Sequence, residues 1–177
     1  MRLLAFCGSP SPGAVALLLR ASAALAPAGI KVSYYDKLLA LPLFVPALTA
    51  PGQALPLPVT ALHEQLAAAD AVLFATPEYA FGLPGSFKNA LDWLVAAGSL
   101  YGKPTAALSA SPSAGGGARA LASLLLTLEA LGATVPAGAT LAVPLVRTRL
   151  GDGATPPDPV LTAELQAVMV ALVAAVG

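Results

Sequence analysis

The sequence predicts an α/β fold in which a parallel sheet carries helices on both of its faces. Two observations lead to this class. Strand-like and helix-like segments alternate along the 177 residues, which is typical of parallel sheets with helical crossovers. The strand-like segments are also apolar throughout instead of alternating, as expected for strands that are buried on both faces. We expect one domain spanning residues 1–177.

The first three elements are predicted from short patterns. Leu3–Cys7 is an apolar run that stops at Gly8, so we expect a buried strand. Ala14–Ala26 is rich in Ala and Leu and is followed by Pro27, which predicts a helix. Lys31–Asp36 contains Val and two Tyr, which favours a second strand.

The middle of the chain begins with a loop, because residues 42–58 contain five prolines and no hydrophobic period. Val59–Ala68 then predicts a helix and Ala71–Thr76 a third buried strand. Pro84–Ala97 predicts another helix, since proline suits the first helical turn.

The last third repeats the pattern. Thr105–Ala110 and Ala139–Val143 are predicted strands, and Gly117–Leu131 between them is a predicted helix. A loop rich in Gly and Pro at Gly151–Pro159 leads to a final predicted helix, Val160–Val176.

Composition narrows the class of function. Charged residues make up 10% of the chain and hydrophobic ones 57%, so disorder is not expected. The net charge is zero and no basic cluster occurs, which argues against nucleic acid as a partner. The mean hydropathy is +0.79, yet no apolar stretch reaches the ~18 residues of a membrane span. The single Cys and single His predict no disulfide within the chain, no metal site, and a cytoplasmic location.

Three unusual loops follow predicted strands: Gly8–Val15, Pro77–Gly85 and Ser111–Gly117. Ligands of open parallel sheets bind beyond the carboxyl ends of the strands. All three loops are expected at that edge, where they can converge on one ligand.

The first loop has the spacing of a phosphate-binding loop, with two glycines separated by four residues between a strand and a helix. Ala14 and Val15 stand where nucleotide-binding loops carry Lys and Ser or Thr, so nucleoside triphosphate chemistry is not expected. If Ser11 caps the helix, the amides of Gly13, Ala14 and Val15 can face an anion. A strand-to-helix turn without a ligand is an equally good interpretation of this loop alone.

The other two loops also have two interpretations. Tyr79 and Phe81 are suited to stacking on a planar ring, whereas Phe87 and Trp93 are better explained as core or subunit contacts. The three glycines at 115–117 permit close approach of the backbone to a ligand, and equally form a flexible connector.

The loops resemble known motifs. The segment "TPEYAFGLPGSFKNALDWL" resembles the T-P-E-Y-N … P-G-x-x-K-N-A-L-D-W signature of the NADPH-dependent FMN reductase family. "GSPSPGAVALLLRA", "LALPLFVPAL" and "ASPSAGGGARA" resemble its other motifs, so the likeness runs from Met1 to about Val143. The resemblance implies a flavodoxin-like fold with strand order 2-1-3-4-5, FMN as cofactor and NAD(P)H as electron donor. It also implies that a quinone, azo dye, metal oxyanion or free flavin is the acceptor.

The resemblance also assigns residues, none of them catalytic, because the flavin itself carries the electron chemistry. It places Ser9, Ser11, Ala14, Val15 and Ala16 at the FMN phosphate, Pro77, Glu78, Tyr79 and Ala80 along the ring, and Ser111, Gly115 and Gly116 on its other side.

The chain departs from the family at polar positions. Ser11, Ala14 and Ala16 stand where the family has Arg, Ser and Asn, and Ala80 replaces the Asn after Tyr. Losing two or three hydrogen bonds to a charged group costs about 3–6 kcal/mol, on the order of 10²–10⁴ in affinity. The alternative hypothesis is therefore a non-enzymatic scaffold with weakened or lost FMN binding.

The predicted helix Pro84–Ala97 also suggests assembly. Phe87, Leu91 and Leu94 form an apolar stripe that packs on the sheet, and Trp93 lies off it. We expect a homodimer, or a dimer of dimers, with Trp93 as an anchor in the interface.

Overall fold

The computed structural model describes residues 1–11, 13–151 and 157–177. Five parallel strands form one sheet in the order β2-β1-β3-β4-β5. This order confirms the flavodoxin-like fold implied by the sequence motifs. The strands are β1 (Arg2–Cys7), β2 (Lys31–Tyr35), β3 (Ala71–Pro77), β4 (Thr105–Ala110) and β5 (Thr140–Val143).

Helices cover both faces of the sheet. The helices are α1 (Ala14–Ala24), α2 (Leu57–Ala68), α3 (Gly85–Asp92), α4 (Ala118–Ala130), α5 (Val146–Leu150) and α6 (Pro159–Ala174). α1, α5 and α6 share one apolar core with the odd-numbered residues of β1 and β3. α2, α3 and α4 share a second core with even-numbered residues such as Leu4, Phe6 and Phe74. Since both faces of each central strand are covered, the uniformly apolar strand runs are explained.

Two helices differ from the sequence prediction. The third helix ends at Asp92 instead of Ala97, and turns follow it as far as Gly102. These turns bury Trp93, Leu94 and Leu100 completely. α5 was not predicted, because five residues show no helical period. Most of the predicted loop Gly151–Pro159 lies outside the described residues.

The prediction that Trp93 anchors a second subunit is wrong. Trp93 is fully buried, its indole N–H donates to the Pro42 carbonyl at 2.9 Å, and its ring meets the edge of Phe44 at 5.2 Å. Asn89 donates to the same carbonyl at 2.9 Å and accepts from the Phe44 amide at 2.7 Å. The "KNALDW" part of the signature therefore holds the proline-rich loop against the core.

Among the helices that the structure describes, we find none with both the length and the hydrophobicity needed to cross a bilayer.

Candidate functional site

The amino end of α1 lies at the carboxyl edge of the sheet and presents backbone amides. Ser11 does not cap α1, contrary to the sequence expectation, because the capping position belongs to Gly13. The Ser9 hydroxyl instead donates to the Ser11 carbonyl at 2.9 Å, and within the described residues no side chain caps this helix. The first amides of a helix have no partner inside it, so they are available to an anion.

The three predicted loops do converge. A cavity of about 200 Å³ is lined by the first loop and the start of α1, by the ends of β3 and β4, and by the start of α5. Its lining residues include Ser9, Ser11, Ala14, Val15, Pro77 and Tyr79. Ala16 lies outside it and lines a neighbouring cavity of about 220 Å³ toward β2, together with Arg20 and Asp36.

The loop after β3 is a tight hairpin. Tyr79 and Gly82 exchange two backbone hydrogen bonds of 3.0 Å. Ala80 and Phe81 between them have φ of 48° and 62°, the left-handed region that non-glycine residues rarely adopt. The side chains of Tyr79 and Phe81 are 49% and 69% exposed, so the hairpin presents two aromatic rings at the sheet edge.

Glu78 connects this hairpin to the next loop. Its carboxylate accepts hydrogen bonds from the amides of Arg119 at 3.0 Å and Ala120 at 3.1 Å. These are amides of the first turn of α4, so Glu78 caps that helix from a distant part of the chain. The Arg119 guanidinium also lies 4.0 Å from the centre of the Phe81 ring, a cation–π contact. The hairpin is therefore joined at two points to α4, the helix that follows the third loop.

The glycines of the third loop have separate causes. A Cβ on Gly116 would lie 2.9 Å from the Pro144 nitrogen, and Gly116 has φ of +62°. Gly117 would bring a Cβ within 3.3 Å of the Ser109 hydroxyl, which itself donates to the Gly116 carbonyl at 2.9 Å. Close packing against β4 and β5 thus explains these two glycines, and the flexible-connector interpretation does not apply to them. Gly115 is exposed at the edge.

Comparison with known proteins decides the family. The family model described as "NADPH-dependent FMN reductase" matches residues 1–147. The chain belongs to the NADPH-dependent FMN reductase family. A quinone reductase of Escherichia coli is 37% identical over 112 residues, which are 60% of this chain and 59% of that protein. The chain thus spans about three fifths of the length of that curated relative.

Two further matches cover more of the chain. An NAD(P)H-dependent FMN reductase of Pseudomonas aeruginosa is 37% identical over 131 residues, 72% of this chain and 69% of that protein. The solved structure of FerB, a flavoenzyme NAD(P)H:(acceptor) oxidoreductase from Paracoccus denitrificans, superimposes with a TM-score of 0.82. It is 26% identical and covers 99% of this chain and 96% of that one.

The structure brings one charged residue to this cavity that the sequence analysis did not identify. Arg147 on α5 lines the same cavity as the first loop. The resemblance to the family motifs ends at about Val143, just before Arg147. The available signal was a basic residue four positions beyond β5, at the edge where the loops converge.

Three other titratable side chains, those of Cys7, Tyr35 and His63, have surroundings that do not suit a reaction at this site. Burial raises the pKa of the Cys7 thiol, so this side chain stays protonated and behaves as a small apolar residue. Burial, with a smaller effect of Asp36, raises the pKa of Tyr35 to about 12. His63 lies on α2 with its Nδ1 2.7 Å from the Ser99 hydroxyl, away from the three loops.

Proposed function

We propose that the protein is an FMN-dependent NAD(P)H oxidoreductase that reduces a small acceptor, most simply a quinone. One observation supports this above all. The amide-presenting end of α1 and the ends of β3 and β4 line one continuous cavity at the carboxyl edge. An anion-binding end in the same cavity as the aromatic Tyr79 suits a ligand that has a phosphate at one end and a planar ring at the other.

The residues present fit such a ligand. Gly13, Ala14 and Val15 offer amides at the positive end of the α1 dipole, and the hydroxyls of Ser9 and Ser11 lie beside them. Bound FMN would supply hydride transfer, which no side chain of the protein can perform.

The chain's own residues would hold and orient the ring. Pro77 and the Tyr79 hairpin would lie on one side of the ring, and the Ser111 loop would lie on the other. Within that loop, the Ser111 hydroxyl is 2.9 Å from that of Ser113. The Glu78 carboxylate is engaged by α4, so we assign it to positioning of the hairpin and not to contact with the ring. The open edge leaves room for nicotinamide and acceptor to bind in turn, which is a ping-pong cycle.

The test is a flavin titration followed by turnover. We expect the fluorescence of FMN to be quenched when it is added to the purified protein. We also expect NADPH to be oxidised when a quinone is present. Absence of FMN binding at near-millimolar flavin refutes the proposal. A gain of FMN binding only in the triple variant Ser11→Arg, Ala14→Ser, Ala16→Asn would identify a scaffold that has lost its cofactor.

We also propose that the protein works in the cytoplasm as a homodimer, or a dimer of dimers, with α3 near the interface. With Trp93 in the core, the apolar surface of this region is contributed by Val95, 63% exposed, and by Leu126 of α4, 70% exposed. Both line one groove. Sedimentation at tens of micromolar tests this. We expect a dimer that Leu126→Glu dissociates, and a monomeric parent protein contradicts the proposal.

A further inference from the structure

We propose that Arg147 supplies the cationic partner of the flavin phosphate that the first loop lacks, and thereby makes the protein select FMN over riboflavin. This inference rests on the proposed function. The family carries its arginine within the loop, where this chain has Ser11. Here the charge would be provided by a different element, α5, which lines the same cavity.

The composition of the cavity supports this assignment. Among its described lining residues, Arg147 is the one that carries a charge, and no carboxylate is present. Ser11, Gly13 and Ala14, at the amino end of α1, line the same cavity. An anion in the cavity can therefore meet both the helix amides and a guanidinium, which binds phosphate oxygens with two parallel hydrogen bonds.

The short helix α5 is held firmly in place, so the position of Arg147 is fixed by the fold. The amides of Leu145 and Val146 donate to the carbonyls of Ser113 at 3.2 Å and Ser111 at 3.1 Å. Val146 and Leu150 are buried in the core on the α1 side of the sheet. Backbone hydrogen bonds therefore join the loop expected to cover the ring to the start of the helix that carries Arg147.

The two arginines of α5 have different surroundings. Arg149 forms ion pairs with Asp158 at 3.1 Å and with Glu164 of α6 at 2.7 Å, and hydrogen bonding to Glu164 is the main cause of its raised pKa. Its charge is neutralised within the protein, and it fastens α5 to α6. Arg147, two residues earlier, is exposed toward the cavity.

One other cation lies near the first loop. Arg20 lines the neighbouring cavity of about 220 Å³, which also contains the Asp36 carboxylate. That cavity is not lined by Pro77 or Tyr79, the residues expected beside the ring. A ligand that reaches both the helix amides and the ring loops would thus meet Arg147 and not Arg20.

The experiment measures FMN and riboflavin affinities of the whole protein by fluorescence quenching. Arg147→Gln should weaken FMN binding about 10- to 150-fold, which is the loss in affinity that corresponds to one hydrogen bond to a charged group. The affinity for riboflavin, which has no phosphate, should differ less than about twofold between the variant and the parent protein, because their other contacts with the flavin are the same. Arg147→Lys should retain part of the preference for FMN, because it keeps the charge without the paired donors.

Two matched controls remove one positive charge each. Lys31→Gln alters the opposite edge of the sheet, where β2 begins, and Arg20→Gln alters the neighbouring cavity. Neither should change the ratio of FMN to riboflavin affinity. Because Arg147 is exposed, its variants are expected to fold, and thermal unfolding without flavin checks that.

Three results would overturn the inference while leaving the proposed function intact: unchanged FMN affinity in Arg147→Gln, equal losses for FMN and riboflavin, or loss of the preference in Arg20→Gln alone. A parent protein that binds neither flavin would overturn the proposed function and this inference together.

Discussion

Replacing Glu78 with alanine tests whether this residue of the family signature stabilises the fold before any cofactor binds. Its carboxylate accepts from the first-turn amides of α4, Arg119 and Ala120, at 3.0 and 3.1 Å. Loss of a helix cap costs about 0.5–2 kcal/mol. The interaction of an anion with the helix dipole, which overlaps with the cap, contributes about 0.3–1 kcal/mol. Since Glu78 is partly exposed, we expect a decrease of about 1–2 kcal/mol in the free energy of unfolding.

The assay is thermal or urea unfolding of the flavin-free protein. For a chain of this size, 1 kcal/mol corresponds to about 2–4 °C, so Glu78→Ala should lower the melting temperature by about 2–8 °C. Glu78→Gln keeps an acceptor oxygen and loses the charge, so its decrease should be about half as large. Glu64→Ala is the matched control, since this exposed residue of α2 accepts no side-chain hydrogen bond within the described part of the chain.

The reasoning is refuted if flavin-free Glu78→Ala unfolds within 1 °C of the parent, roughly the scatter expected for a neutral surface change. It is equally refuted if Glu64→Ala is destabilised to the same extent. Either result would mean that the contact of Glu78 with α4 contributes no specific stability.

Three other substitutions probe the fold around the site. Ala80→Asn should raise the free energy of unfolding by about 0.5–1 kcal/mol, because φ is 48° there and Asn tolerates this region better; an unchanged urea midpoint would contradict it. Gly116→Ala should cost more than about 2 kcal/mol, since its Cβ would lie 2.9 Å from the Pro144 nitrogen, and near-parental stability would show that the backbone adjusts. Burial lowers the pKa of His63 below 6.5, so the stability that it contributes is complete above pH 6.5 and declines as the pH falls through the folded pKa. Unfolding at pH 7.5 and 5.5 should therefore show a smaller pH dependence in His63→Gln than in the parent.

Much of the fold follows from local sequence. Strands buried on both faces have a simple apolar pattern, and parallel topology brings their carboxyl ends to one edge, so the meeting of the three loops could be inferred without coordinates. The strand order came from the resemblance to a family and not from the pattern itself.

What sequence missed depends on long-range contacts. The helical period of Phe87, Leu91 and Leu94 continues past Asp92, but the partner of Trp93 is Pro42, 51 residues earlier in the chain. The contact of Glu78 spans 41 residues. No local pattern encodes such pairs, so an outward-facing Trp93 was a reasonable expectation that only packing could revise. The predicted contact of Glu78 with the flavin ring stays a prediction, and the structure adds its contact with α4.

The position of Arg147 at the site also could not be predicted from the sequence. α5 has five residues and no period, and its place is set by hydrogen bonds to Ser111 and Ser113, which follow the neighbouring strand β4. The family motifs end at about Val143, so a comparison of motifs does not reach Arg147.

The paired contacts between the β3 and β4 loops have a consequence for affinity. Glu78 on the α4 amides and Arg119 on Phe81 order both loops when the chain folds. In a mobile site, each flexible side chain that is immobilised when the ligand binds costs about 0.5–1.5 kcal/mol. A preorganised site avoids that entropy loss at the moment of association, so a ligand can bind usefully with fewer polar contacts than a mobile site would require. For the FMN binding that we propose, ordering of the hairpin by α4 would offset part of the affinity lost with the donors that the first loop lacks.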